Sequence, residues 1–401
     1  MTTASPRPVA APVHGGASAD RMLETVRDLA SDRYQGRRVG TPGGRMAAQW
    51  LASQLAELGA TVQLDSFEVT GVKELTSTPV AIIGQRRLTH RRDFAEQLSS
   101  AQVDVPRPAQ LVPADADTWR DGWVIVAAAD QQALARASAE DVAGLLVPRG
   151  VDEAGWMPKM IAGPPTGQVA IVSVRADLHA DLAHHLSETL TASVPMRTIT
   201  TTGTNVYGVF AEPSPGHPSV LLTAHFDGVG DDPNQRFPAA ADNASGVAVA
   251  LEAARLLSAT LPNNVGLAVA LLDGEEAGAR GSAHHAPQLA PGTFVINVDG
   301  AARLGDAAAV EAGGPAELLL AALDQAGRHT GVPLRAGAMA SDNRRYAAAG
   351  LPAIGIGMGM PGYQTPAETP DRVEATTLLA AADLVVATVH ALCPRQVQGS
   401  D

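Results

Sequence analysis

The sequence predicts an α/β fold of three layers, with a mainly parallel, mixed central sheet, helices on both faces, and a small β-rich inserted domain. From Asn205 onward, continuous apolar runs alternate with helical patterns. Apolar runs without polar alternation are typical of parallel strands that are buried on both faces. Residues 75–200 instead carry short apolar runs between Pro-rich connections, and this change of texture predicts the insertion.

The individual elements follow from their local periodicity. Met22, Val26 and Leu29 share one helical face, and apolar residues recur at helical spacing over residues 46–58. Residues 61–69 alternate as in a strand. The remaining elements of the main sheet are apolar runs at residues 220–224, 267–272, 294–298 and 353–356, a helix at residues 246–257 and a closing helix at residues 373–392.

The chain is long enough for two compact units. A length of 401 residues favours two domains or one domain with a large insertion. We therefore expect a flexible leader over residues 1–18, a main domain formed by residues 19–74 and 201–395, and the inserted domain over residues 75–200.

The composition argues against several classes of partner. The formal net charge is −13, which would repel nucleic acid, since nucleic-acid binding needs a basic surface. We expect no membrane association, because no apolar stretch is expected to reach the length of a membrane span. No secretory signal is recognisable at the N-terminus, so we expect a cytoplasmic protein. The single cysteine, Cys393, cannot form an internal disulfide.

Side chains that can bind a metal follow three of the apolar runs. His225, the adjacent Glu275 and Glu276, and Asp299 each stand just after one run, and Asp242 lies in a polar turn before a helix. Open α/β sheets place ligands beyond the carboxyl ends of their strands. Imidazole and carboxylate groups are zinc ligands, and an acid outside the metal shell can serve as general base. The two adjacent glutamates suit this division of roles.

Each of these residues also has a structural interpretation. Asp242 could cap the helix that follows it, the two glutamates could complement a helix dipole, and His225 alone would more often be structural. Four separate segments that deliver such residues to one sheet edge are harder to explain by packing. We therefore favour a metal site, in which a shared carboxylate would hold two ions about 3.5–4 Å apart.

The order and spacing of these motifs resemble the M28 family of zinc aminopeptidases. The motifs that carry the resemblance are His225-Phe226-Asp227, Asp242-Asn243-Ala244-Ser245-Gly246, Asp273-Gly274-Glu275-Glu276 with Gly281-Ser282, and Asn297-Val298-Asp299. The segment at residues 75–200 is similar to the protease-associated (PA) insert of some members. The resemblance implies a hydrolase, and more narrowly a zinc metallopeptidase of aminopeptidase type.

The resemblance also implies a role for each site residue. Glu275 would be the general base, and Asp227 would orient the imidazole of His225. In some relatives the peptide bond after the bridging aspartate is cis, so we expect strain at Asp242–Asn243. The implied metal ligands are His225, Asp242 and Asp299 for one zinc ion, and Asp242 and Glu276 for a second ion that Asp242 bridges.

Two positions depart from the family pattern. The family usually ends its site with Tyr-His-Thr/Ser-Pro-x-Asp, whereas this chain has Tyr363-Gln364-Thr365-Pro366-Ala367-Glu368, and Asn343 stands where a histidine is usual. A neutral amide oxygen is a weaker zinc ligand than imidazole. We therefore expect Gln364 to be a weak ligand, with one zinc ion firmly bound and the second weak or absent. Tyr363 could polarise the substrate carbonyl or be a packed loop residue.

The expected function is zinc-dependent hydrolysis of an amide or peptide bond, with aminopeptidase activity favoured. Two alternatives stay open: a specialised amidase or peptidase that acts on a peptide-like metabolite, and a catalytically degenerate binding protein. The expected partner is a peptide or small amide, and apolar edge strands would allow a homo-oligomer. The adjacent His284 and His285 could replace the missing ligand, although a surface helix face suits them better.

Overall fold

The computed structural model describes residues 16–393. Most of the leader predicted over residues 1–18 lies outside the described residues, as do residues 394–395 at the predicted end of the main domain. The described end of the leader leads directly into a helix. There the Ser18 hydroxyl accepts a hydrogen bond from the backbone N–H of Arg21 (3.4 Å), as an N-cap residue does.

The described chain consists of strands and helices that alternate most regularly after residue 205. The strands are β1 (Thr61–Leu75), β2 (Ala81–Ile83), β3 (Arg86–Arg87), β4 (Phe94–Glu96), β5 (Val103–Pro113), β6 (Trp123–Ile125), β7 (Gly144–Arg149), β8 (Ile171–Arg175), β9 (Thr189–Val194), β10 (Met196–Ala211), β11 (Ser219–His225), β12 (Gly266–Leu272), β13 (Phe294–Val298), β14 (Ala308–Gly313), β15 (Leu334–Ala336) and β16 (Ala353–Gly357). The α-helices are α1 (Ala19–Leu29), α2 (Pro42–Glu57), α3 (Gln131–Glu140), α4 (Ala176–Leu182), α5 (Ser245–Thr260), α6 (Arg280–His285), α7 (Glu317–Thr330), α8 (Asn343–Ala348) and α9 (Ala375–Leu392).

The main sheet is mixed, with a parallel centre. Its strand order is β1-β10-β12-β11-β13-β16-β14-β15. The four central strands β12, β11, β13 and β16 are parallel to one another. The strands β1, β10 and β14 add antiparallel pairs on either side. The predicted mixed sheet is therefore confirmed.

Helices cover both faces of this sheet because its central strands bury alternate side chains on opposite sides. On β11, Val220 and Leu222 join the core beneath α1, α2, α5, α7 and α9. Leu221 between them faces the other way and packs in a separate core with Tyr346 of α8. The three-layer α/β architecture follows from this alternation, and it places the carboxyl ends of the parallel strands at one edge.

The closing helix α9 departs from one expectation. It is 18 residues long and apolar enough to cross a membrane by length and composition, although the sequence predicted no such stretch. In the structure it packs against α7 and α5, with Leu378, Ala382 and Val385 buried. One such helix is weak evidence for a membrane span, since the core helix of a three-layer fold has the same composition.

Residues 76–195, called here the second-sheet region, form another sheet of strand order β3-β2-β9-β5-β6-β7-β8-β4. This region has its own core around the fully buried Trp123. The long strands β1 and β10 lead into and out of it and pair with each other from Thr61–Val209 to Leu75–Met196. Because both strands run continuously into the junction, the domain division at residues 75 and 200 stays a prediction.

Candidate metal centre

Three of the side chains predicted to bind a metal converge at the carboxyl edge of the main sheet. His225 ends β11, Asp299 follows β13, and Asp242 lies in the turn before α5. His225 Nε2 lies 3.0 Å from Asp242 Oδ1 and 3.3 Å from Asp299 Oδ1, and all three residues are buried. One donor atom from each lies within 4.8 Å of the others. Ligand atoms about 2.0–2.2 Å from a common zinc ion would have this spacing.

The turn that carries Asp242 is tied to the end of β13 by its neighbour Asn243. The Asn243 side-chain amide donates to the carbonyl oxygen of Val298 (2.9 Å), and its oxygen accepts from the backbone N–H of Gly300 (2.9 Å). These bonds hold Asp242 and Asp299 side by side. The Asp242–Asn243 peptide bond is cis, the geometry that the resemblance implied from some relatives.

Asp227 contacts the imidazole of His225, as the orienting role that the resemblance implied for it would require. His225 Nδ1 lies 3.1 Å from the carbonyl oxygen of Asp227 and 3.5 Å from its carboxylate, which leaves Nε2 directed at the other acids. Burial alone would lower the pKa of His225, but the adjacent carboxylates, led by Asp299, raise it well above its usual value. The Asp227 carboxylate also accepts from the backbone N–H groups of Glu275 (3.0 Å) and Glu276 (3.3 Å).

The second predicted metal position has a different chemistry. Gln364, in the loop after β16, donates its side-chain N–H to Glu276 Oε2 at 2.5 Å. Within residues 16–393, the other oxygen of Glu276 and the amide oxygen of Gln364 are buried with no hydrogen-bond partner. The position therefore holds an amide donor against a carboxylate where the family pattern would place an imidazole.

Glu368 joins the two positions, although it is not among the predicted site residues. Its carboxylate is buried and accepts from the backbone N–H of Asp242 (2.5 Å) and of Gln364 (2.8 Å). The fully buried guanidinium of Arg37 donates to four backbone carbonyls; burial lowers the pKa of Arg37 to about 10. The signal that could have identified Glu368 is its place as the last acid of the motif that contains Gln364.

The site as a whole carries a large excess of acidic groups. Burial raises the pKa of Glu275 and of Glu276 well above the usual value, and neighbouring acids add to the shift at Glu276. Their charged counterparts in this part of the structure are His225 and Arg37. A divalent cation fits such a donor set, because it would neutralise acids that otherwise repel one another. The acidic residues that influence one another here are Asp227, Asp242, Asp273, Glu275, Glu276, Asp299, Asp342 and Glu368.

Tyr363 lies at the mouth of this acidic site. Its side chain is 45% exposed, so it is not simply a packed loop residue. Partial burial raises the pKa of Tyr363, and the charges of Asp242 and Glu276 add to this shift. Its hydroxyl therefore stays protonated and can donate a hydrogen bond.

The two adjacent histidines do not reach the metal position. His284 Nε2 lies 3.1 Å from Asp65 on β1. The buried His285 forms a hydrogen bond with the Tyr346 hydroxyl (3.0 Å), on the face of the main sheet that α8 covers. Neither supplies the ligand that Gln364 replaces.

Comparison with known proteins agrees with this geometry. The protein-family model described as "Peptidase family M28" matches residues 205–389 of this chain. The chain is similar in structure to BSAP, a zinc aminopeptidase from Bacillus subtilis, with 20% identity and a TM-score of 0.73 over 95% of this chain and 96% of that chain. It is also similar to the aminopeptidase from Aneurinibacillus sp. strain AM-1, with 22% identity and a TM-score of 0.70 over 93% of each chain.

A third similar structure is a glutaminyl cyclase from Fimbriiglobus ruber, with 16% identity and a TM-score of 0.51 over 96% of this chain and 99% of that chain. No curated protein sequence matches the chain. At these identities the structural likeness establishes the fold, and the match to the family model covers residues 205–389, a little less than half of the chain.

Proposed function

Since residues 205–389 match peptidase family M28, we propose that the chain is a hydrolase that cleaves the amide bond after the amino-terminal residue of a peptide or small amide. The observation that carries this proposal is the convergence of His225, Asp242 and Asp299 within 4.8 Å, with Glu275 beside them. These three side chains would hold a zinc ion, which supplies positive charge that polarises both a water molecule and a carbonyl group.

The preference for a free amino terminus follows from the electrostatics of the site. The acidic side chains outnumber the positive charges, because a His225 that binds the metal is neutral and the buried guanidinium of Arg37 is then the remaining positive side chain of the site. Even with one divalent cation present, the remaining negative charge attracts a substrate ammonium group. A peptide with a free amino terminus carries that charge next to its first amide bond.

Glu275 is placed to move the proton in this reaction. Its backbone is fixed by the hydrogen bond from its N–H to Asp227 (3.0 Å), and burial raises the pKa of its carboxyl group, which makes the carboxylate a better base. The oxygen of water bonds to the carbonyl carbon as Glu275 takes a water proton. When the carbon–nitrogen bond breaks, Glu275 gives this proton to the leaving amine. The Tyr363 hydroxyl donates a hydrogen bond to the oxygen that becomes negative.

We further propose that one zinc ion is held firmly and that a second is held weakly or not at all. The support is the contact between the Gln364 amide and Glu276 Oε2 at 2.5 Å. An amide N–H satisfies one oxygen of Glu276 without a metal, and a neutral amide is a weaker zinc ligand than imidazole.

The proposal is tested by measuring zinc per chain and hydrolysis of a panel of aminoacyl amides by the wild-type protein and by Glu275→Gln. We expect about one zinc ion per chain in both proteins, and a loss of about 10²–10⁴-fold in kcat for the variant. Glu68→Gln, which changes an exposed acid of β1, is the matched control and should hydrolyse the panel normally. Zinc-loaded wild-type protein that is as inert as Glu275→Gln would refute the enzyme and favour a binding protein.

A further inference from the structure

Lys159 of the second-sheet region is hydrogen-bonded to two loops of the candidate metal centre. It lies between β7 and β8, and its backbone N–H donates to the carbonyl oxygen of Gln364 (2.9 Å) in the loop after β16. Its ammonium donates to the carbonyl oxygen of Gly230 (2.8 Å) and lies 2.8 Å from Asp232 Oδ1. Gly230 and Asp232 lie in the connection between β11 and α5, which leads from one predicted zinc ligand to the next. Lys159 therefore joins this connection to the loop that carries Gln364.

The side chain of Lys159 is part of a buried ionic cluster. Asp232 also accepts a hydrogen bond from Arg91 Nε (2.9 Å). Arg91 pairs with Glu96, and His90 Nε2 lies 2.9 Å from the same carboxylate. All five residues are buried. Because a buried ion pair that loses one partner leaves an uncompensated charge, these contacts oppose any displacement of Lys159.

The backbone just before Lys159 is held by hydrogen bonds of its own. The backbone N–H of Met157 donates to the carbonyl oxygen of Arg91 (2.8 Å). The guanidinium of Arg149 donates to the carbonyl oxygen of Pro158 (2.6 Å). Since the side chain of Lys159 is fixed by the ionic cluster, its backbone N–H has a defined position and direction.

Gln364 has a backbone conformation that its surroundings must maintain. Its φ is +53°, in the left-handed region that residues other than glycine seldom adopt and that persists where neighbouring contacts impose it. Its N–H donates to the Glu368 carboxylate (2.8 Å), and its carbonyl oxygen accepts from Lys159 (2.9 Å). In this conformation its side chain reaches Glu276 Oε2 at 2.5 Å. The bond from Lys159 is therefore one of two backbone contacts that hold a strained residue of the site.

We propose that Lys159, held by Asp232, is a positioning residue that fixes the loop at residues 358–369, called here the site loop, at the metal centre. This inference rests on the proposed function of that centre. The ion pair locates the backbone of Lys159, whose N–H holds the carbonyl group of Gln364, and the site loop thereby places the Tyr363 hydroxyl. The second-sheet region thus acts on the reaction through the placement of this loop.

The test replaces the two partners of the ion pair singly and together. Lys159→Met and Asp232→Asn should each lower kcat on aminoacyl amides about tenfold, since a displacement of about 1 Å at a positioned group can cost about 10²-fold. The double variant leaves Arg91 and Glu96 to balance each other, so its thermal unfolding midpoint should exceed that of either single variant while kcat stays low. If kcat recovers together with the unfolding midpoint, the ion pair serves folding alone and the inference is wrong.

Lys73→Met is the matched control, since it makes the same substitution at the other lysine of the chain. Lys73 is also buried, but its ammonium donates to the hydroxyl groups of Thr166 and Thr198 (2.9 Å each). This variant should keep the kcat of the wild type. Zinc should stay at about one ion per chain in all variants, because the three predicted ligands are unchanged.

Hydrogen–deuterium exchange of a peptide that covers the site loop measures its placement without turnover. We expect the backbone N–H groups of this loop to exchange about tenfold faster in Lys159→Met than in the wild type or in Lys73→Met, because local opening is less costly once a contact is lost. Faster exchange in a protein that hydrolyses none of the amides supports the positioning role and counts against the proposed function. An active enzyme in which Lys159→Met alters neither kcat nor this exchange overturns the inference and leaves the proposed function intact.

Discussion

The candidate metal centre has two halves, one around His225, Asp242 and Asp299 and the other around Glu276 and Gln364. They lie in the same acidic surroundings but present opposite chemistry. Around His225, two carboxylates lie 3.0 Å and 3.3 Å from the imidazole Nε2, and every facing atom can offer electrons to a cation. Around Glu276, the amide of Gln364 presents an N–H donor at 2.5 Å. The half around His225 therefore needs a cation to neutralise its carboxylates. In the half around Glu276, one carboxylate oxygen already accepts a hydrogen bond from the Gln364 amide.

The difference is local, because the two halves share their supports. Glu368 accepts from the backbone of Asp242 in the first half and from the backbone of Gln364 in the second. Asp227 contacts His225 and also accepts from the backbone of Glu276. A single side chain at position 364 thus changes the expected metal content without any change of fold.

The largest expected effect separates the halves directly. Asp299→Ala should lose the firmly bound zinc and reduce kcat/KM about 10³-fold or more, because it removes a ligand of the complete half. Glu276→Ala should retain about one zinc ion per chain. Elemental analysis after dialysis and hydrolysis of an aminoacyl amide measure both properties. The reverse pattern, with zinc kept by Asp299→Ala and lost by Glu276→Ala, would show that the two halves have been assigned the wrong way round.

A smaller effect tests the shared support. Glu368→Ala should lower kcat/KM about 10²-fold and weaken zinc retention, since it leaves the buried N–H groups of Asp242 and Gln364 without acceptors, at about 1–3 kcal/mol each. Glu368→Gln keeps one acceptor oxygen and should be milder, at about tenfold. The measurements are zinc retention, kcat/KM and the thermal unfolding midpoint. If only stability changes while zinc and activity are normal, Glu368 supports the fold and not the site.

The first half could be predicted from the sequence because it depends on topology. Residues that follow continuous apolar runs lie at the carboxyl ends of parallel strands, so His225 and Asp299 had to meet once the sheet was mainly parallel. Asp242 joined them through its position before a helix that packs on the same sheet. The order of three elements along the chain indicated a common sheet edge, and the resemblance to the M28 family implied the grouping of the three side chains around one ion.

The second half could not be predicted to the same depth because it depends on loop conformation. The sequence predicts Gln364 to be a weak ligand, but it does not reveal that the amide donates to Glu276. The hydrogen bond from the backbone N–H of Asp242 to Glu368 and the bond from the Gln364 amide to Glu276 join segments that are remote in sequence. No local periodicity encodes such contacts, since they are set by how the loops pack.

A tenfold effect is expected at the boundary between the halves. Tyr363→Phe removes the hydroxyl that would donate to the developing oxyanion, and about tenfold in kcat is appropriate for a half-exposed donor, below the value of about 10²–10³ for an enclosed one. KM should change little, because the hydrogen bond forms mainly in the transition state. A variant with unchanged kcat and raised KM would instead make Tyr363 a binding residue.

The smallest expected effect on activity is also the sharpest test of the comparison. Gln364→His replaces the N–H donor by an imidazole nitrogen that binds zinc, so zinc should rise from about one to about two ions per chain, while kcat/KM changes only a few-fold. Gln364→Leu is the matched control: it removes both the donor and the weak ligand, and should leave the content at about one ion. Equal zinc in the wild type and in Gln364→His would mean that the neighbours of Glu276, and not the amide of Gln364, exclude the second ion. In that case the chemical contrast between the halves would have to be sought in the buried acids themselves, because Asp242 is common to both positions and cannot distinguish them.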